Sequence, residues 1–351
     1  MKRYWGLVLV RIGVLFMFNT YIHPDEHMQC GEVMAHIHFG VDSNLPWEYH
    51  KPNIARSFVS PELLCGIPML VLGSVPSWWV IKLWMLSISL LMDLLAFYIF
   101  NRNIPLLLLR ASSWTHIVLS TKTFSNTLEA LLVDMLLMLL VCNINKRAIW
   151  GGIIVGLGCF VRITFPAFAV VLIGEAIKRE HFSVRFVCQA AGGFVLACWS
   201  CLILDFWLND FTLVFAQWEN IKYNSQVNNL AKHGLHPRWT HLLINFPLLF
   251  GPVGLAALWR MSNRFESHAL VVPLAMLSAF PHQEFRFLFP LQTLCMLMGG
   301  PLVVKSRLRI GLWMMFNLIL VFMFGIAHQA GVIDYLQVHR GCQPVLGQHM
   351  Q

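Results

Sequence analysis

Two adjacent carboxylates in the segment from Tyr21 to Gln29 could act on a substrate hydroxyl. Asp25 and Glu26 follow Pro24, directly after the first apolar run of the chain. Proline is favoured in the first turn of a helix, and acidic side chains there are stabilised by the helix dipole. A carboxylate within reach of a hydroxyl can serve as general base. Asp25 and Glu26 are therefore candidate catalytic residues, and a helix start with ordinary acidic side chains is the alternative interpretation.

Two further segments place Arg and His together at the mouths of apolar runs. One extends from Asn228 to His241 and the other from Pro281 to Phe287. Arginine can grip a phosphate through two parallel hydrogen bonds, and histidine adds further donors. Headgroup anchoring is the simpler interpretation, but it does not explain three His within nine residues. The predicted substrate-binding residues are His23, His233, His236, Arg238, His282, Glu284 and Arg286.

A zinc site is an alternative for the first segment. His23, Glu26 and His27 spell H-x-x-E-H, in which two His one helical turn apart can bind zinc. Pro24, however, would leave His23 at the cap of the helix rather than on its face, and a convincing third ligand does not follow. The prediction is that the protein uses neither a metal nor a cofactor.

The composition indicates a membrane protein. Of 351 residues, 57% are hydrophobic and 12% are charged, whereas soluble domains carry about a quarter charged residues. The net charge of +8 is scattered in twos and threes between apolar runs, which argues against a nucleic-acid partner. We therefore predict an all-α polytopic membrane protein.

Apolar runs and charge together predict the topology. About eleven crossings are expected, at 5–18, 78–100, 104–119, 127–142, 148–161, 167–177, 186–205, 241–259, 269–280, 287–301 and 310–330. The short loops on one side carry 13 Lys or Arg in 37 residues, against 9 in 116 residues on the other side. By the positive-inside rule, the N-terminus and the short basic loops are cytosolic. The segment from Pro61 to Val75 is interpreted as interfacial or re-entrant, because counting it as a crossing would place the basic loops outside.

The predicted topology puts all three polar segments on the non-cytosolic side. The expected organisation is a single domain over residues 1–351, with loops 19–60 and 206–240 forming the catalytic face. Of nine cysteines, six lie in apolar runs, which leaves Cys30, Cys65 and Cys342 as candidates for chemistry in that compartment.

The motifs resemble a known family. His23-Pro24-Asp25-Glu26 with Gln29 and Glu32, then Pro46-Trp47-Glu48 and Arg56-Ser57, are similar to the first luminal loop of the GT-C mannosyltransferases of glycosyltransferase family 22. Within that family, four further stretches resemble the enzymes that add the fourth mannose of the GPI anchor. These stretches are Thr123 to Glu129, Arg162 to Pro166, Asn229 to Pro252 and Pro281 to Glu284.

The resemblance implies a GT-C fold and an inverting α1,2-mannosyltransferase of the endoplasmic reticulum membrane. An inverting transfer needs one carboxylate base near the acceptor hydroxyl, and for that role Asp25 is the first candidate and Glu26 the second. The expected donor is dolichyl phosphate mannose, and the expected acceptor is the third mannose of a lipid-linked GPI precursor. Transfer of the third GPI mannose, or another family 22 reaction, is the alternative within the family. A transporter would instead require polar residues and broken helices at the bilayer midplane, and a protease would require zinc.

Overall fold

The computed structural model describes residues 1–51, 54–72, 77–142, 144, 146–232 and 234–332, and all regular secondary structure in these ranges is helical. Predicted site residue His233 and candidate Cys342 lie outside the described residues. The prediction of an all-α architecture is confirmed.

The helices follow the predicted apolar runs closely. The helices of the N-terminal half are Lys2–Met17, His27–Gly31, Glu32–Phe39, Trp47–Tyr49, Val59–Val71, Trp78–Ile99, Ile104–Ala111, Trp114–Ile117, Leu119–Thr121, Ser125–Val141, Arg147–Val161 and Phe165–Arg179. The remaining helices are Val184–Leu208, Ala216–Asn224, Val227–Ala231, His241–Trp259, Phe265–Ser278, Phe285–Val303 and Arg307–Val332. Five of the described helices are long and apolar enough to cross a membrane, and six are if a bent pair counts as one span.

The predicted crossing at 104–119 is not one straight helix. Ser113 interrupts it, because the Ser113 Oγ accepts a hydrogen bond from the backbone N–H of His116 and so starts the new helix Trp114–Ile117. A serine that caps the next helix competes with continuation of the previous one. The span Trp114–Thr121 then bends by 115° into Ser125–Val141. The structure thus confirms that the predicted segments are helical. The number of crossings, predicted to be about eleven, stays a prediction.

Two buried arginines in the helical core pair with buried aspartates. Arg11 Nη2 lies 2.9 Å from Asp93 Oδ2, and His116 Nε2 lies 2.8 Å from the other oxygen of Asp93. Arg110 Nη2 contacts Asp134 Oδ2 at 2.7 Å, with both side chains almost fully buried. Because an unpaired charge in an apolar interior is costly, these contacts tie the helices together while neutralising each group.

The helix Val59–Val71 is fastened to the first loop. Cys65 forms a disulfide with Cys30, and His38 Nε2 lies 2.7 Å from Glu62 Oε2. Both contacts join this helix to the segment that follows Asp25. The predicted interfacial or re-entrant segment therefore packs on the loop that carries the candidate base.

Glycines allow Arg147–Val161 and Val184–Leu208 to pack backbone against backbone. A Cβ added to Gly152 would lie 1.9 Å from the carbonyl oxygen of Ala190, and one added to Gly193 would lie 2.2 Å from that of Ile149. Small residues permit such close approach of helices in a membrane.

We expect Gly152→Leu to destabilise the protein by about 1–3 kcal/mol, because overpacking forces the two backbones apart. The control is Gly151→Leu, since a Cβ at Gly151 meets nothing within 4 Å. The measurement is the midpoint of thermal unfolding in detergent. Equal midpoints for the two variants would contradict close packing at Gly152.

Candidate active site

The first polar segment begins a helix where the sequence predicts it. The backbone N–H of Glu26 donates to the His23 carbonyl at 3.0 Å, and that of His27 donates to the Pro24 carbonyl at 3.1 Å. The His23 ring caps this turn, because its Nδ1 accepts a hydrogen bond from the Asp25 N–H at 3.3 Å. His23 therefore lies at the cap, and Asp25 lies in the first turn.

Arg286 joins the first polar segment to the third. Its Nη2 donates to Asp25 Oδ2 at 2.5 Å, and its Nε pairs with Glu284. His282 Nε2 lies 2.8 Å from the other oxygen of Glu284. The guanidinium also lies over the ring of Phe124, 4.8 Å from its centroid. Four predicted site residues are thus connected in one network that begins at Asp25 and ends at His282.

The contacts of this network lower the pKa values of its two acids, Asp25 and Glu284. Burial opposes ionisation of Asp25, but the neighbouring His23 ring and the charge of Arg286 outweigh it and lower the pKa of Asp25. The pKa of Glu284 is likewise lowered, because Arg286 and His282 outweigh the effect of burial. Burial would depress the pKa of His282, yet the hydrogen bond and charge of Glu284 raise it above 6.5. Asp25 is therefore an ionised carboxylate at neutral pH.

Glu26 faces away from this network. Its side chain is 2% exposed, and Oε1 lies 3.1 Å from Lys122 Nζ. Oε2 accepts from the backbone N–H of Ile22 at 3.3 Å, and the Glu26 carbonyl accepts from the Thr123 hydroxyl. Asp25 is 23% exposed by comparison. Of the two adjacent acids, only Asp25 has a partly exposed side chain.

The second polar segment contributes His236. Its backbone N–H donates to the Pro281 carbonyl at 2.7 Å, and its Nδ1 accepts from the Gln283 N–H at 3.3 Å. The rings of His236 and His282 lie 6.1 Å apart. Arg238 is exposed, and its backbone carbonyl accepts a hydrogen bond from Gln283 Nε2 at 3.4 Å. Segments distant in the sequence therefore meet at one end of the helical core.

Sequence reasoning missed Gln283, which holds the second and third polar segments together. It is 2% exposed, its Oε1 accepts from the His241 N–H at 2.8 Å, and its Nε2 donates to several backbone carbonyls. Its position between His282 and Glu284 was the only available signal, since a local pattern does not show which side chain bridges two loops.

The three residues of the H-x-x-E-H pattern each contact a different neighbour. His23 contacts Asp25, Glu26 pairs with Lys122, and the His27 ring packs 4.6 Å from that of Trp78. Within the ranges the structure describes, three His, Cys, Asp or Glu side chains nowhere converge as metal ligands do. The pattern does not assemble as a zinc site.

The fold is that of a multi-pass helical membrane protein of the GT-C type. The helical arrangement is similar to that of ArnT from Cupriavidus metallidurans, solved bound to undecaprenyl phosphate, with a TM-score of 0.62 and 12% identity, over 88% of this chain and 61% of that one. The model of the Alg9-like mannosyltransferase family matches residues 3–344, and the chain belongs to this family.

Two relatives that match most of this chain carry the same name. GPI mannosyltransferase 4 of Saccharomyces cerevisiae is 33% identical over 96% of this chain and 72% of its own length. The enzyme of the same name from Schizosaccharomyces pombe is 32% identical over 90% of this chain and 64% of its own length. The chain thus spans roughly two thirds of the length of the relatives it matches.

Proposed function

We propose that this protein transfers an α1,2-linked fourth mannose from dolichyl phosphate mannose to the third mannose of a GPI-anchor precursor. The relatives that carry the name GPI mannosyltransferase 4 support this assignment. The observation that carries it is the ionised Asp25 carboxylate next to the cluster of Arg286, His282 and His236. A base and an anion-binding cluster are what an inverting transfer from a lipid phosphate requires.

In the proposed reaction, Asp25 accepts the proton of the acceptor 2-hydroxyl while that oxygen bonds to the anomeric carbon. The bond from the anomeric carbon to the phosphate oxygen breaks, and dolichyl phosphate leaves with the electron pair. His236, Arg238, His282 and Arg286 stabilise the departing phosphate. Such side chains suffice for a leaving group with less charge than a nucleotide diphosphate, so the proposal includes no metal and predicts activity in the presence of a chelator.

Arg286 connects the two halves of this mechanism. Its Nη2 pairs with Asp25, and guanidinium groups bind phosphate well. When the donor phosphate attracts Arg286, Asp25 loses part of its counter-charge and its pKa rises. A higher pKa makes the carboxylate a stronger base as the reaction begins.

We further propose that the site faces the lumen of the endoplasmic reticulum, with the N-terminus in the cytosol. The Cys30–Cys65 disulfide supports this orientation, because disulfides persist in oxidising compartments. The excess of Lys and Arg in the opposite loops supports it as well.

Labelling tests the orientation. Single cysteines at Asn44 and Ser262, both exposed, are introduced into a chain that keeps only Cys30 and Cys65 among its own cysteines. In sealed microsomes an impermeant thiol reagent should label Ser262→Cys directly and Asn44→Cys only after permeabilisation. Labelling of both from the same side would contradict the orientation.

Analysis of lipid-linked precursors in cells lacking the protein tests the function. We expect a three-mannose GPI precursor to accumulate, and re-expression of the protein should remove it. Accumulation of a two-mannose precursor would replace the proposal with transfer of the third mannose.

A further inference from the structure

A large apolar cavity lies between four helices. Its volume is about 260 Å³, and its lining is apolar except for Arg147 and Arg179. Apolar cavities of about 150 Å³ stay dry and bind small apolar molecules. The cavity therefore suits hydrocarbon, and in a membrane the available hydrocarbon is a lipid chain. Its walls come from the helices Ser125–Val141, Arg147–Val161, Phe165–Arg179 and Val184–Leu208.

The cavity lies at the end of the helical core opposite to Asp25. Phe186, near the start of Val184–Leu208, lines it. Near the other end of the same helix, Asp205 Oδ1 accepts a hydrogen bond from Ser57 Oγ of the first loop at 3.0 Å. These two positions of the helix are about 28 Å apart along its axis. The cavity is thus separate from the candidate active site.

The helix Val184–Leu208 is sparsely packed. In its most apolar stretch 17% of the residues are buried, the lowest share among the five long apolar helices of the described residues. Phe186 and Phe194 of this helix line the cavity together with Leu172 of Phe165–Arg179. The lining of an empty void loses dispersion contacts. A hydrocarbon chain in the cavity would restore these contacts for both helices.

Two arginines stand at the mouth of the cavity. Arg147 begins one of the four helices and Arg179 ends another. Arg147 pairs with Glu180, and Arg179 Nε lies 2.8 Å from Glu175 Oε1. The apolar lining therefore ends in a layer of charged side chains, as the hydrocarbon region of a bilayer does.

The charge at the mouth is positive after these pairs are counted. Lys146, Lys178 and Arg185 are exposed, and each is the chain neighbour of a lining residue. Together, residues 146–147 and 175–185 contain five Lys or Arg against two Glu. Basic pockets between membrane helices bind the headgroups of anionic lipids. The mouth therefore complements a phosphate, and the body of the cavity complements an alkyl chain.

We propose that this cavity binds an anionic diacyl phospholipid of the leaflet that meets these basic turns. One acyl chain fills the apolar body, and the phosphate lies at Lys178 and Arg185. The bound chain packs Val184–Leu208 against Phe165–Arg179 and so stabilises the folded protein. The inference does not depend on the proposed function, because it uses no residue of the candidate active site.

Lipid titration of the purified protein in a non-ionic detergent tests the site. The measurement is the midpoint of thermal unfolding at increasing mole fractions of phosphatidylinositol or of phosphatidylcholine. A ligand that binds only the folded protein raises this midpoint. We expect phosphatidylinositol to raise it by about 5–10 °C at a hundredfold excess over its Kd. Phosphatidylcholine should require a much higher mole fraction, because its headgroup has no net charge.

Gly151→Phe tests the apolar body of the cavity. Gly151 lines the cavity, and a Cβ added to it meets nothing within 4 Å. The phenylalanine ring should take the place of the lipid chain, so the rise in midpoint should be lost with both lipids. Gly192→Phe is the matched control, because a Cβ at Gly192 also meets nothing within 4 Å but Gly192 lies outside the lining.

A double variant tests the mouth, and it carries the test if Gly151→Phe fails to accumulate. Lys178→Gln with Arg185→Gln should weaken phosphatidylinositol binding about 30-fold, since each basic residue near an anionic headgroup contributes a factor of about five. The response to phosphatidylcholine should stay the same. Lys305→Gln with Arg307→Gln is the matched control, because both residues are exposed and lie outside the lining.

Three results would overturn the assignment. Equal responses to the two lipids, or a full response in both Gly151→Phe and the Lys178 and Arg185 double variant, would place the lipid elsewhere. A stronger response to dolichyl phosphate that Gly151→Phe abolishes would assign the cavity to an isoprenoid chain. A lipid-free dimer that Gly151→Phe converts to a monomer, measured by light scattering, would show that a second copy of the chain fills it.

Discussion

Asp25→Asn is expected to lower mannose transfer by about 10²- to 10⁴-fold, the usual contribution of a general base. Asparagine keeps the shape of the side chain and can still contact Arg286, but it cannot accept the proton of the acceptor hydroxyl. The loss should appear in kcat, while the amount of folded protein stays near that of the unaltered chain. Transfer is measured from dolichyl phosphate mannose in membranes that contain equal amounts of each variant.

Two comparisons separate catalysis from folding. Asp210→Asn is the matched control, because this exposed aspartate pairs with Lys51 at 2.7 Å outside the network. Glu26→Gln should mainly reduce protein abundance, since it leaves the Lys122 ammonium partly buried without its carboxylate. Normal turnover in Asp25→Asn together with lost turnover in correctly folded Glu26→Gln would reverse the two roles.

Arg286→Lys is expected to reduce kcat by about 100-fold although the positive charge remains. Arg286 contacts Asp25 and Glu284 through two different nitrogens and covers the Phe124 ring. A lysine ammonium has no planar fork and cannot hold this geometry. A misplacement of about 1 Å at a reacting group can cost 10²-fold in rate. The apparent affinity for the donor should fall as well, because the same guanidinium is proposed to meet the departing phosphate.

Arg179→Lys provides the control for this prediction. Arg179 also makes two contacts, to Glu175 and the Leu140 carbonyl, both at 2.8 Å, and its guanidinium lies 5.0 Å from the Phe265 ring centroid. It belongs to Phe165–Arg179, whose basic end is predicted to face the cytosol. Wild-type kinetics in Arg286→Lys would remove Arg286 from the site, and equal losses in both variants would indicate a general effect on stability.

The sequence alone determined most of the long helical segments and most of the residues available for chemistry. Long apolar runs have to form helices in a membrane, because only a helix satisfies the backbone hydrogen bonds within one segment. The first polar segment also contained a local helix start, so the position of Asp25 in the first turn followed from Pro24. The short motifs were specific enough to indicate the family.

The break at Ser113 shows a limit of this reasoning. Hydropathy predicts one crossing at 104–119, but a capping hydroxyl outweighs a uniform apolar pattern over a few residues. The structure gives two short helices followed by a bend, because the local hydrogen bond starts a new helix direction.

Only the tertiary structure decided which of two neighbouring acids is buried and which is partly exposed. Consecutive residues on a helix point about 100° apart, and contacts distant in sequence determine which of those directions is buried. Lys122 binds Glu26 from one side, and Arg286 binds Asp25 from the other. The tertiary structure also joined Cys30 to Cys65 and brought Gln29 and Arg56 against the Glu48 carboxylate. No local period encodes these pairings, because each depends on how separate helices pack.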